Sequence, residues 1–126
     1  MIILSKEQTL TLHACLTSET GGDPNLRDAD LLDSALCSPF QTFGGSELYP
    51  TDAEKIARAG YALISDHAFV DGNKRIGMLV LLTLLELNGI KADIPCSEVS
   101  RVGLAVASGA MSCGELLEWM TEYIPQ

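Results

Sequence analysis

His67-Ala68-Phe69-Val70-Asp71-Gly72-Asn73-Lys74-Arg75 runs without a break into Ile76-Gly77-Met78-Leu79-Val80-Leu81-Leu82-Thr83-Leu84-Leu85. The second half of this stretch decides the fold. Leu79, Val80, Leu82, Leu84 and Leu85 leave a helix over about 73–88 almost no polar face, which suits the buried centre of a bundle and not its surface. The apolar run 76–85 is roughly half a membrane span, and Asn88-Gly89 stops it.

The rest of the chain reads as helices packed around that one. Upstream, Thr51 or Asp52 caps a helix with Ile56, Ala59, Ala62 and Leu63 inward, ending near Asp66. Ser5 with Gln8 is a capping-box signature for a first helix to about Thr20, carrying Leu10, Leu12, Ala14 and Leu16. Gly21-Gly22 ends it, and Asp23-Pro24-Asn25 is turn chemistry. Asp28 caps a short helix carrying Leu31, Leu32, Ala35 and Leu36 to about Cys37. Residues 38–50 hold Pro39, Gly44-Gly45, Pro50 and the aromatics Phe40, Phe43 and Tyr49, a composition for a loop or short extended flap. Downstream, Ser97 starts a helix to about Ser108, and Ser112 with Glu115 caps a last one holding Leu116, Leu117, Trp119 and Tyr123. The expected architecture is all-α: one domain over 1–126, a bundle of about six helices with a short flap or hairpin.

Composition narrows the function. The 126 residues are 47% hydrophobic, enough for one core, and 8 basic against 17 acidic side chains give a formal charge of −9. That balance disfavours a general nucleic-acid binder, which needs a basic surface to displace counterions, and an anionic membrane surface. Met1-Ile2-Ile3-Leu4 is too short for a signal peptide, with Lys6 and Glu7 close behind. Cys15, Cys37, Cys96 and Cys113 are scattered among apolar residues without a C-x-x-C pair, and are read as buried free thiols. The expectation is an intracellular, cytoplasmic protein. His13, with apolar helical neighbours, is read as a core histidine hydrogen-bonded to backbone.

The segment 67–75 breaks local rules. A helix N-terminus carries partial positive charge and prefers acids, yet this one opens with Lys74 and Arg75. Free amides in the first turn already form an anion site, which two cations intensify, and Gly72 allows close approach. A phosphate is the natural ligand. Asp71 beside it is what a magnesium ion takes alongside phosphate oxygens, and a neutral His67 imidazole can accept a proton from an attacking hydroxyl. Together these describe phosphoryl or nucleotidyl transfer. On spacing alone a second reading stands beside the first: His67 ends a helix, and Lys74 and Arg75 are a solvated pair offsetting Asp66 and Asp71. Phe69 is read as core, pinning the loop.

The nine residues His67 to Arg75 resemble the central motif of the Fic/Doc family, in the form found in death-on-curing toxins. The likeness continues through Gly21-Gly22 with Leu26-Arg27-Asp28, Leu31 to Leu36, Pro39 to Gly45 with Leu48 to Thr51, and Leu84 to Gly89. This resemblance implies a helical bundle with a flap that holds an extended segment of a target protein. It implies His67 as general base, Asp71 as magnesium ligand, Gly72 and Asn73 as the anion hole, and Lys74 and Arg75 as holders of the nucleotide phosphates. Ala68 stands where proline is common, affecting loop stiffness. Ile76 stands where threonine is common, removing a hydroxyl expected near the phosphates.

Members that transfer AMP resemble H-P-F-x-x-G-N-G-R-x-x-R, whereas this chain has Lys74 at the second glycine and Met78 at the last arginine. The resemblance therefore implies the Doc-like branch: a kinase toxin using ATP and magnesium to phosphorylate Ser or Thr of a translation protein such as elongation factor Tu. An AMP transferase is the runner-up, and a catalytically idle binding module of the same fold is the alternative from another class. No Ser/Thr-x-x-x-Glu inhibitory pattern occurs, so a separate antitoxin would supply any restraint. In the flap, Phe40 and Tyr49 are expected to fold back into the bundle. That leaves Gln41, Thr42, Phe43 and Gly44 as an edge for a target strand.

Overall fold

A computed structural model describes residues 1–125. Six α-helices and one small hairpin follow in chain order: α1 (Lys6–Thr20), α2 (Ala29–Cys37), β1 (Thr42–Phe43), β2 (Ser46–Glu47), α3 (Asp52–Ser65), α4 (Asn73–Leu87), α5 (Cys96–Ala107) and α6 (Cys113–Glu122). A single 3-10 turn, Ser38–Phe40, links α2 to the hairpin. The helix boundaries follow local chemistry. Ser5 and Ser112 close the expected capping boxes with Gln8 and Glu115, while Asp28 and Thr51 cap α2 and α3 through side-chain oxygens. Only α5 starts a residue early, with Pro95 at its N-cap.

The centre of the bundle is the α3–α4 pair, with α6 and α2 against α3 and α5 and α1 against α4. Ile56, Leu63 and Ile64 of α3 and Ile76, Val80 and Leu81 of α4 are all fully buried in one core cluster. The two helices cross where neither has a side chain. A Cβ on Gly77 would stand 2.8 Å from the Gly60 carbonyl oxygen and overlap Ile64, and a Cβ on Gly60 would stand 3.2 Å from the Gly77 oxygen. No described helix is long and apolar enough to cross a membrane.

Several expectations are corrected. The buried face of α1 is Thr9, His13 and Thr17, whereas Leu10, Leu12 and Leu16 are only partly buried and Ala14 is exposed. The four cysteines are free, but Cys15, Cys37 and Cys96 are exposed and Cys113 is half-buried. Cys15 is on the outer face of α1, and the other three sit at helix ends, where the bundle surface is. Burial raises the Cys113 thiol pKa, against the charge and hydrogen bond of Arg58. In the flap, Phe40 stays 42% exposed and Phe43 80% exposed; Pro39, one residue earlier, takes the buried place beside α2. Tyr49 is half-buried, with the Arg58 guanidinium 5.7 Å from its ring centre.

The hairpin pairs Thr42 with Glu47 and Phe43 with Ser46. Gly44 and Gly45 both have positive φ, 59° and 83°, which a two-residue turn matching strand twist requires. Its base is tied to α3 by Lys55, a buried lysine whose Nζ donates to the Tyr49 carbonyl and meets Glu47 Oε1 at 3.0 Å. At the other end, Glu98 of α5 accepts from Arg101 at 2.7 and 2.8 Å, from Trp119 Nε1 at 3.2 Å and from the Tyr123 hydroxyl at 3.4 Å, joining α5 to α6.

Two consequences are measurable. Gly77→Ala should lower unfolding free energy by about 2 kcal/mol through overpacking against the α3 backbone, whereas Gly114→Ala, with only the Ser112 hydroxyl nearby at 3.9 Å, should be neutral or stabilising by up to about 1 kcal/mol; denaturant midpoints check both. The hydrogen bonds from Arg101 and Trp119 hold the Glu98 carboxyl at about 2 against its ordinary 4.5. A depressed folded value contributes stability above the unfolded pKa and loses it as pH falls toward the folded one. The melting-temperature gap between wild type and Glu98→Gln should therefore be constant above pH 5 and close between about pH 4.5 and 2.

Candidate functional site

The site is the connection from α3 to α4. Asp66 ends α3, its amide donating to the Ala62 carbonyl. His67 then turns the chain with φ +51°, the one positive φ of a non-glycine among the described residues. A left-handed L-residue costs roughly 1–2 kcal/mol, so the surrounding bonds must hold it. Ala68 and Phe69 plunge into the core. The Ala68 carbonyl accepts from the amides of Arg27 (2.8 Å) and Asp28 (3.0 Å), and the Val70 amide donates to the Asn25 carbonyl at 3.1 Å. Leu26 and Phe69 form an isolated antiparallel bridge. The segment before α2 thus serves as a splint for the loop.

Three side chains complete the bracing. Asn73 accepts from the Phe69 amide at 3.0 Å and donates to the Phe69 carbonyl at 2.9 Å. His13 lies 3.7 Å from Phe69, ring on ring, with its Nε2 2.6 Å from the Asp71 carbonyl oxygen. A carbonyl only accepts, so Nε2 is the donor, and Nδ1 is buried without a partner among the described residues. Arg27 donates from Nε to the His67 carbonyl at 2.8 Å and from its terminal nitrogen to the Asp66 carbonyl at 3.4 Å. Burial pushes the Asp66 carboxyl pKa up, while the charges of Arg58 and His67 pull it down.

What the loop exposes is different in kind. His67, Asp71, Lys74 and Arg75 are all exposed, and the His67 imidazole makes no hydrogen bond among the described residues. Asp71 Oδ1 accepts from the Gly72 amide at 2.9 Å and Oδ2 faces the Asp23 amide at 3.4 Å; no cation pairs with it among the described residues. Gly72, at φ +76°, caps α4 without a side-chain bond, and the first turn contains no acid. The first bond back to the cap is from the Ile76 amide at 2.9 Å, so the amides of Asn73, Lys74 and Arg75 have no protein acceptor among the described residues. Lys74 and Arg75 border a groove of about 510 Å³ between α1 and α5, walled by Leu16, Met78, Leu79 and Val99. The Lys74 stem lies on α5, where a Cβ on Gly103 would stand 3.0 Å from its Cγ.

Five of the expected positions keep their chemistry free: His67, Asp71, Gly72, Lys74 and Arg75 share one short connection. Asn73 differs. Its side chain is spent on the Phe69 backbone, and only its amide is left to bind an anion. Ile76 is fully buried, so the side chain at this position faces the core. Gln41, Thr42, Phe43 and Gly44 lie on the exposed hairpin. They make no hydrogen bond to residues 67–75 among the described residues, and the hairpin is tied to α3 instead. Sequence reasoning missed Arg27, Lys55 and Gly103 as parts of this arrangement, although Thr9, His13 and Thr17 at four-residue spacing were a visible polar stripe on a face that has to be buried.

The sequence model of the Fic/DOC family matches residues 3–85, from the segment before α1 to the last turn of α4. A protein of Mycolicibacterium smegmatis described as Toxin Doc is 39% identical over 88 residues, which is 70% of this chain and 65% of that protein. The match spans slightly less than two thirds of the relative's own length.

The bracing role of Asn73 is testable apart from any activity. Asn73→Ala leaves the half-buried Phe69 amide without its acceptor and should cost about 1–3 kcal/mol. Urea unfolding measures it, and a midpoint equal to wild type would mean that the Asn73 side chain is not holding the loop.

Proposed function

The chain belongs to the Fic/DOC family, and from that premise we propose that it is a Doc-like kinase toxin, moving the terminal phosphoryl group of ATP to a Ser or Thr hydroxyl of a bacterial translation protein. The observation that carries this reading is the combination on one loop of an unbonded imidazole at His67, an unpaired carboxylate at Asp71, and a helix start with three free amides and two cations. Elongation factor Tu is the proposed target class, and a separate antitoxin the proposed restraint.

The chemistry follows from where charge changes. His67 accepts the proton of the attacking hydroxyl, whose oxygen forms the new bond to phosphorus as the bond to the ADP oxygen breaks. The amides of Asn73, Lys74 and Arg75 and the two side-chain cations offset the anionic charge on the phosphates. Asp71 fits a hydrated magnesium ion, because its exposed carboxylate has lone pairs left and no competing cation. The ion, when bound with the nucleotide, would neutralise phosphate charge. The preference for phosphoryl over AMP transfer rests on Lys74: its stem packed on Gly103 fills space that a glycine would leave open to the nucleotide. The hairpin keeps the outer edge of β1 unpaired in a two-stranded sheet, which suits a target segment added as a further strand.

Purified protein incubated with magnesium, elongation factor Tu and ATP labelled at either the γ or the α phosphate tests the reading. Label should pass from the γ position only, and His67→Ala should slow transfer by roughly 10²–10⁴-fold. Transfer from the α position would make this an AMP transferase. No transfer from either position, together with equal growth of bacteria expressing wild type or His67→Ala, would make it an idle binding module.

A further inference from the structure

His67 combines two things that ordinarily exclude each other: it must be a particular side chain, and its backbone is in the region glycine prefers. Something outside the residue has to fix it. The carbonyls near the end of a helix lack amide donors from a following turn, and they carry the negative end of the helix dipole. Here the carbonyls of Asp66, His67 and Ala68 all converge on one residue. Arg27 Nε meets the first loop carbonyl, of His67, at 2.8 Å, its terminal nitrogen meets that of Asp66 at 3.4 Å, and its own amide meets that of Ala68 at 2.8 Å. Turning His67 to right-handed φ and ψ would swing its carbonyl off the guanidinium.

We propose that Arg27 is the positioning residue of His67, holding the base in its left-handed conformation by clamping consecutive carbonyls with one planar fork. The proposal rests on the assignment of His67 as the base. It is distinct from phosphate binding, since both side-chain bonds of Arg27 go to backbone oxygens. The fork matters. A guanidinium presents several donors in one rigid plane, whereas a lysine ammonium is a single point on a flexible stem. The splint also fixes Arg27 itself, because its amide bond to Ala68 and the neighbouring Leu26–Phe69 bridge hold its backbone beside the loop.

Arg27→Met and Arg27→Lys separate positioning from a general effect on stability. At 13.5 kDa the full chain is suited to backbone assignment by NMR, and the carbon shifts of His67 report its φ and ψ directly. In Arg27→Met they should move away from left-handed values while the shifts of core residues such as Leu63 stay put. Turnover by the folded protein should fall on the order of 100-fold, with the KM for ATP within about 2-fold of wild type. Arg27→Lys, with one donor group, should fall between, and it provides the comparison if Arg27→Met does not fold. Unchanged His67 shifts in the folded variants would overturn the proposal, as would a raised KM with turnover intact, which would put Arg27 on the nucleotide. If wild type transfers no phosphate, the proposed function fails, and the His67 shifts still decide whether Arg27 sets the conformation.

Discussion

Everything near the site depends on how closely α3 and α4 cross. With glycine at both 60 and 77, each backbone approaches the carbonyl of the other, and the rest of the contact is filled by Ile64 and Leu81. Two helices held this tightly leave the chain only residues 66–72 in which to reverse from the end of one to the start of the other. A reversal that short needs sharp turns. It makes one at His67 and one at Gly72, both with positive φ. Gly72 meets the need at no steric cost. His67 does not, and so carries a local strain that the surrounding bonds must offset.

The loop resolves that conflict by dividing labour. Its backbone is bonded from three directions, by the 25–28 segment, by His13 on α1 and by Asn73 on α4. Its chemically capable side chains are left outside and unspent. This explains why α1 buries a polar stripe. The face of a helix that supports another helix can be leucine, but the face that supports a loop backbone must supply hydrogen bonds and small methyl groups. Thr17 does the second, its methyl lying within 3.5–3.7 Å of where Cβ atoms of Gly22 and Gly72 would be. Neither Lys74 nor Arg75 forms an ion pair among the described residues, although Glu19 lines the same groove, so both cations remain available to an anion.

The sequence made legible what short-range chemistry determines. Capping boxes at Ser5 and Ser112, the caps Asp28 and Thr51, and the stop at Asn88-Gly89 are set by residues a few positions apart, and each stands within a residue of its expected place. The placement of Gly72, Lys74 and Arg75 at the start of α4 was legible for the same reason, since they lie within four positions of one another. What was not legible was long-range. The partners of Arg27 and His13 lie 40 and 58 residues away; the bracing by the Asn73 side chain is local, four residues from Phe69, but depends on a loop shape that those distant contacts set. Leucine counts misled on α1, because Leu10, Leu12 and Leu16 fit no single helical face as well as Thr9, His13 and Thr17 do. Scattered cysteines among apolar residues looked buried, but Cys15 lies on the outer face of α1 and the other three stand at the ends of helices, at positions the bundle leaves exposed or half-buried.

The two helices beyond the family match at residue 85 are not spectators of the cradle. Lys74 can lie along α5 only because residue 103 has no Cβ, and Met78, one turn further on, uses the same gap at 3.1 Å. The stem of the lysine is therefore ordered by packing, which leaves less rotamer freedom to lose when its ammonium meets an anion. That ordering holds only while α5 keeps its place against α4. Glu98 ties α5 to α6 through Trp119 and Tyr123, and Leu116 and Met120 of α6 are fully buried in the core that α3 shares. A path of direct contacts thus runs from Lys74 through Gly103 to α5, through Glu98 to α6, and back to α3, whose C-terminal end leads into His67. The short connection that carries His67 is thus flanked by two helices that are also joined through space by a closed ring of packed helices, in addition to the hydrogen bonds that hold its own backbone.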